Sequence, residues 1–158
     1  MKTTFTALAC LLLWGCGKSD EQLRTMMREE IAAAATKSFV TAGQTIGPYS
    51  PAVKAGNLVF VSGQIGIDAS TNLVGDDIES QTRQSLSNLG RILALAGCDS
   101  SDVVQATVYI RDIKEFPKMN LIYGGYFTDG KYPARTTVEV SNLPKNARVE
   151  IACVAMKD

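Results

Sequence analysis

The chain has 158 residues, of which 46% are hydrophobic and 20% charged, a make-up that suits one globular domain with an appended segment and excludes wholesale disorder. Sixteen Lys and Arg balance sixteen Asp and Glu, so there is neither a basic coat for nucleic acid nor an acidic solvating tail. Histidine is absent, which excludes Ser-His-Asp and Cys-His nucleophile systems and every His-containing metal site.

Four cysteines, at positions 10, 16, 98 and 153, form no CxxC pair, so a zinc ribbon and a thioredoxin-like motif are also out. No metal and no cofactor is expected.

Residues 1–16, MKTTFTALACLLLWGC, read as an address. Lys2 precedes an apolar run from Phe5 to Trp14, about the length of a signal-peptide core and far short of the ~20 residues that span a bilayer. Leu13-Trp14-Gly15-Cys16 and the polar residues after it resemble a bacterial lipobox, with Trp14 where that pattern has a smaller residue. The expectation is a leader over 1–16 with Cys16 lipidated and the protein anchored on the periplasmic side of a bacterial membrane. An ordinary cleaved signal releasing soluble protein and an organellar start are the alternatives. Residues 17–37 follow as a charged helical spacer, whose Leu23, Met26, Met27 and Ile31 recur at helical spacing. Residues 38–158 make the folded domain.

Phe39-Val40 begins a short strand. Gly47-Pro48-Tyr49-Ser50-Pro51 is a loop that cannot be helical. Residues 52–54 and 58–62 flank Ala55-Gly56-Asn57, a hairpin signal, and 68–72 is a polar loop. A helix follows, with Asp76 read as its N-cap and Glu79 completing a capping box. Ile78, Thr82, Leu86, Leu89, Leu93 and Ala96 form its buried stripe and Gly97 its stop. Residues 103–110 are a strand rich in β-branched side chains. Phe116 to Phe127 is a second helix, with Pro117 in its first turn. Residues 136–140 and 149–156 are strands on either side of a loop at 142–146.

Two helices cannot cover both faces of such a sheet. Both are expected on one face, in an α+β layer with a mixed sheet. The last strand, VEIACVAM, is apolar on both sides, which predicts that another subunit covers the second face.

Three segments carry the chemistry. Tyr49 is a phenol on a rigid loop, Arg135 opens a strand, and Glu150 lies between Val149 and Ile151 and points away from them. Taken singly, each also fits a structural role: packing for Tyr49, a surface ion pair for Arg135, a salt bridge to Arg135 or Arg148 for Glu150.

In order, GPYSPAV at 47–53, VFVSGQI at 59–65, QTRQSLSNL at 81–89, VYIRDIKEF at 108–116, Met119-Asn120, PARTTVEV at 133–140 and LPKNARVEI at 143–151 resemble the Rid (reactive intermediate deaminase) or YjgF family, formerly called L-PSP endoribonucleases. The resemblance implies a chorismate-mutase-like α+β fold, a homotrimer with a central barrel, and sites in the clefts between subunits. It implies hydrolysis of 2-enaminoacids and 2-iminoacids, such as 2-aminoacrylate, to 2-oxoacids and ammonia. Position by position it makes Arg135, Glu150 and Tyr49 the catalytic set. Arg135, Ser62, Gly63, Gln64, Asn120 and Thr137 become the substrate-binding set. Thr137 stands where many members have Cys, and Ala152 where a second Glu is common.

The residue types suit that reaction. A guanidinium fork matches a planar carboxylate, and a protonated imine carbon is already electrophilic. Orientation, one positioned water and a proton acceptor then suffice. Two other functions remain open: non-catalytic binding of 2-oxoacids or similar carboxylates in the same cleft, and an endoribonuclease. No nucleic-acid partner is expected of a neutral chain without a Lys/Arg run.

Overall fold

The computed structural model describes residues 19–34, 36–43, 45–127 and 130–157. The leader and Cys16 lie outside these. The chain divides into two units, residues 1–36 and 37–158. In the first, the expected helical spacer forms α1 (Asp20–Ala34). Ser19 and Gln22 start it reciprocally: Ser19 N donates to Gln22 Oε1 at 3.0 Å and Gln22 N to Ser19 Oγ at 3.3 Å. Among the described residues no helix is long and apolar enough to cross a membrane.

The second unit runs β1 (Lys37–Val40), β2 (Ala52–Ala55), β3 (Leu58–Ile65), α2 (Ile78–Ala96), β4 (Val103–Ile110), α3 (Phe116–Tyr126), β5 (Ala134–Glu139) and β6 (Val149–Met156). The six strands form one sheet in the order β1-β2-β3-β6-β4-β5. All neighbours are antiparallel except β4 and β5, so the sheet is mixed, as expected. Both helices share one face. Val149, Ile151, Cys153 and Ala155 of β6 are buried beneath them, together with Leu86, Leu89 and Leu93 of α2 and Met119 and Tyr123 of α3. Each such aliphatic side chain contributes roughly 1.5–3 kcal/mol by leaving water. Cys98 and Cys153 belong to this core as free thiols, the packing role that suits small apolar side chains.

The opposite face is half open. Phe39, Val53, Phe60 and Val154 align in register across four strands on it, with Phe39 and Phe60 exposed. Within one chain, then, the second face of β6 is only partly covered: Ala152 and Val154 are half-buried and Met156 is exposed.

Several boundaries differ from the sequence reading. The N-cap of α2 is Asp77, not Asp76. Asp77 has the extended backbone of a cap, and its carboxylate accepts from Ser80 N at 2.7 Å, whereas the Asp76 carbonyl accepts from Arg148 Nε. The capping box with Glu79 does not form. Strand β5 begins at Ala134, two residues early, because it pairs with β4 from Gln105 onward. The loop before β6 contains a 3-10 turn, Pro144–Asn146.

A polar stripe on α2 controls the end of β3. Gln81, Ser85 and Asn88, spaced by four and three, lie on one side of the helix. Ser85 Oγ donates to Gln64 O at 2.7 Å, and Asn88 Nδ2 donates to Ile65 O at 3.1 Å and Ile67 O at 2.9 Å. Gln81 Nε2 donates to Gly75 O and its Oε1 accepts from Arg148 N. These bonds tie the helix to backbone carbonyls at the end of β3 and in the loop that follows it. The approach is close enough that a Cβ on Gly66 would lie 2.6 Å from Gln81 Cα and 2.7 Å from Gln81 O. Since backbone cannot yield as a side chain can, Gly66→Ala should destabilise the domain by about 1–3 kcal/mol, read as a lower urea midpoint at constant m-value.

Candidate active site

The site residues fall into two groups. The first surrounds Glu150. A β-bulge between Val61 and Gln64 inserts one residue into β3 against β6. Gln64 Nε2 donates to Ser62 O at 2.9 Å and Gly63 O at 3.2 Å, pinning the bulge. Ser62 ties it to the preceding loop: Ser62 N donates to Pro51 O at 3.0 Å and Ser62 Oγ to Ser50 O at 2.7 Å. That loop carries Tyr49. The result is a cleft of about 210 Å³ lined by Ile46, Tyr49, Ser62, Gly63, Gln64, Ile65, Ile67, Pro144 and Glu150. Four of the residues expected at the site, Tyr49, Ser62, Gly63 and Gln64, therefore do meet Glu150. Gln64 and Ser62, however, use their donors on backbone carbonyls.

Among the described residues, Glu150 is the single charged group lining the cleft. Its carboxylate makes no hydrogen bond and no ion pair among the described residues. The structural salt bridges considered from sequence do not form, because Arg148 pairs with Glu115 at 2.9 Å and Arg135 is elsewhere. Burial without a compensating cation raises the Glu150 pKa above the ordinary carboxylate value.

The second group surrounds Arg135 at the start of β5. Its guanidinium lies 4.4 Å from the ring centre of Tyr123 and 5.6 Å from that of Phe116, and NH2 donates to Asn120 Oδ1 at 2.7 Å. No carboxylate pairs with it among the described residues. Asn120, Tyr123, Gly124, Tyr132, Pro133 and Arg135 line a depression of about 380 Å³. Asn120 thus acts here on the arginine. Two buried hydroxyls of this region, Tyr123 OH and Thr137 Oγ1, have no hydrogen-bond partner among the described residues. Leaving such a group unmet costs about 1–3 kcal/mol. Burial pushes the Tyr123 phenol up to about 12, with the Arg135 charge pulling the other way.

The two groups sit on opposite faces of the sheet. Arg135 is in register with Ala106, which is in register with Cys153, and both are buried on the helix face. Glu150 alternates with Val149 and Ile151, buried on that face, and so projects from the other, in register with Tyr109 and Val138. One chain cannot bring Arg135 and Glu150 to the same small molecule. The sequence marks Phe116 and Tyr123, the aromatic seat of Arg135, only as part of the second helix, and the polar stripe of α2 is not among its expectations; the spacing of Gln81, Ser85 and Asn88 is the available signal.

The family model described as Endoribonuclease L-PSP matches residues 39–157. A RutC family protein of Pyrococcus horikoshii is 50% identical over 118 residues, covering 74% of this chain and 93% of that protein. A 2-iminobutanoate/2-iminopropanoate deaminase of Bos taurus is 43% identical over 121 residues, covering 76% and 88%. Among solved structures, E. coli TdcF with bound serine superposes with a TM-score of 0.72 at 34% identity, covering 77% of this chain and 99% of that one. The chain belongs to the Endoribonuclease L-PSP family, the Rid/YjgF family to which its motifs point.

The raised Glu150 pKa has a consequence for stability. Below the ordinary carboxylate range, folded and unfolded forms both hold the proton and burial costs nothing. As pH rises, the unfolded chain ionises first, so the penalty on the folded form grows until the raised pKa is passed. Glu150→Gln should therefore stabilise the domain at pH 7 and lose that gain below about pH 4, a crossover readable in urea melts at the two pH values.

Proposed function

We propose that the protein hydrolyses 2-iminoacids, or the tautomeric 2-enaminoacids such as 2-aminoacrylate, to 2-oxoacids and ammonia, in sites shared between copies of the chain in a homotrimer. The observation that carries this reading is the separation just described: an unpaired guanidinium and an unpaired carboxylate on opposite faces of one sheet. A second copy is the economical way to join them. The half-open apolar face, with Phe39 and Phe60 exposed, supports association. Further support comes from the Bos taurus relative named as a deaminase of 2-iminobutanoate and 2-iminopropanoate.

In this reading the substrate carboxylate takes two donors of Arg135, whose plane is set by Tyr123 and Asn120. The protonated imine carbon then faces the Glu150 cleft of the neighbouring copy. Glu150 accepts a proton from a water as its oxygen bonds to that carbon, giving a tetrahedral carbinolamine. The proton passes to the nitrogen; as the C–N bond breaks, Glu150 takes the hydroxyl proton, the 2-oxoacid forms and ammonia leaves, carrying that proton away as ammonium. Water is the only co-reactant. Glu150 suits the task because its raised proton affinity brings it closer to working pH. Tyr49 closes the cleft opposite it. For RNA cleavage, by contrast, the Glu150 cleft offers no Lys or Arg to hold phosphates.

The test uses variants at two positions. Arg135→Ala should lower kcat/KM by roughly 30- to several-thousand-fold, the loss of about 2–5 kcal/mol of charge-assisted bonding, and Arg135→Lys should recover little of it. Glu150→Gln should lower kcat while 2-oxoacid binding persists. Because each variant spoils a different half of a shared site, subunits of the two, unfolded together and reassembled, should regain activity that neither has alone. Light scattering should give three times the chain mass. A monomer of wild-type activity, or no regain on mixing, would overturn the shared site. Retained 2-oxoacid binding in a wild type without turnover would favour the binding reading.

For the address we propose a lipid anchor on Cys16, supported by the pattern Leu13-Trp14-Gly15-Cys16. Cys16→Ser should abolish labelling by a fatty-acid analogue and release the protein from membranes, and an unprocessed amino terminus in the mass spectrum of native material would refute the reading.

A further inference from the structure

The bulge in β3 holds a glycine whose presence the backbone does not require. Gly63 is not among the residues with φ in the left-handed region, so an L side chain suits its conformation. What an added side chain would meet there is another side chain. A Cβ on Gly63 would fall on Glu150 Oε1 and lie 2.7 Å from its Cδ and 2.9 Å from its Cγ. All three nearest atoms belong to this one side chain. The contrast with Gly66, three residues on, is instructive. There the nearest atoms are α2 backbone, and the glycine serves the packing of helix on sheet.

We propose that Gly63 is a positioning residue for Glu150: its bare Cα is the seat on which the carboxylate lies, held flat on β3 and directed along the cleft toward the substrate. The bulge brings Gly63 to this spot, and Gln64 and Ser62 hold the bulge in place through their bonds to Ser62 O, Gly63 O and Ser50 O. The seat takes the place of a hydrogen-bond partner. The carboxylate is placed by shape, and its oxygens remain free to accept from water. A cation or an amide donor in the same position would fix the carboxylate equally well, but would favour its ionised form and weaken it as a base. The titratable groups near Glu150 are Tyr49, which lines the same cleft, and Tyr109 beside it on β4; among the described residues no Lys or Arg lines the cleft.

This inference rests on the proposed role of Glu150, and its test separates the two. In the full-length protein, Gly63→Ala should lower kcat by roughly 10- to 100-fold, as expected for a displacement of about 1 Å, with KM and 2-oxoacid binding within about twofold of wild type. The acid limb of the kcat–pH profile should move to lower pH, because the carboxylate is pushed toward water. In a Glu150→Gln background Gly63→Ala should cost nothing further in kcat, since the group it positions has already lost its function. Full activity of Gly63→Ala, or an equal loss in both backgrounds, would overturn the seat. If Gly63→Ala folds poorly, the stability cycle decides: the collision is with Glu150 alone, so the penalty should vanish in a Glu150→Ala background, and a penalty that survives there would refute the inference. Wild-type turnover by Glu150→Gln would instead defeat the role of Glu150 as the base, leaving the stability cycle as an independent measure of the seat.

Discussion

Strand β6 pairs with β3 on one side and β4 on the other, and the rest of the domain depends on the register of those two ladders. They turn Val149, Ile151, Cys153 and Ala155 toward the helices, and a strand's period of two then leaves Glu150 no choice but the other face. Slipping either ladder by one residue would put a carboxylate into the core and a row of aliphatic side chains into water. The hydrophobic drive that assembles the core is thus the same force that aims the proposed base outward.

Around that frame, the two halves of the proposed site are built on different principles. Arg135 is held by aromatic faces and one amide oxygen, partners that leave its charge unneutralised and most of its donors free. Glu150 is held by shape in a bulge, without a partner for its oxygens. Each arrangement withholds the counter-charge that a structural ion pair would supply. Arg148 makes the contrast plain: its guanidinium meets Glu115 and the Asp76 carbonyl, and it serves to join α2, β6 and the segment before α3. An arginine and a glutamate left unpaired in the same domain, while their neighbours pair, are prepared for something outside the chain.

The apolar stripe of α2 supplies part of the core, and its polar stripe of Gln81, Ser85 and Asn88 binds the Gly75, Gln64, Ile65 and Ile67 carbonyls around the end of β3. The bulge itself is held by Gln64, whose amide binds Ser62 O and Gly63 O, and the amides and hydroxyl that α2 carries at helical spacing fix the backbone that leaves it.

Much of this was legible from sequence. The period of two in VEIACVAM set Glu150 apart from Val149 and Ile151, the Ile78–Ala96 stripe located α2, and the ordered motifs from Gly47 to Ile151 identified the family. Local patterns such as these are decided by residues a few positions apart, so a sequence displays them directly. What a sequence could not display was pairing between distant segments. That β5 runs parallel to β4, with Arg135 in register with Ala106, places the arginine on the helix face, and only the assembled sheet decides it. Asp77, not Asp76, is the cap, and the Asp76 carbonyl instead accepts from Arg148, more than seventy residues away, a contact that only the folded chain makes. The meaning of Gly63 depended on a carboxylate 87 positions later in the chain, because an empty space acquires a purpose only when the tertiary structure brings in the group that fills it.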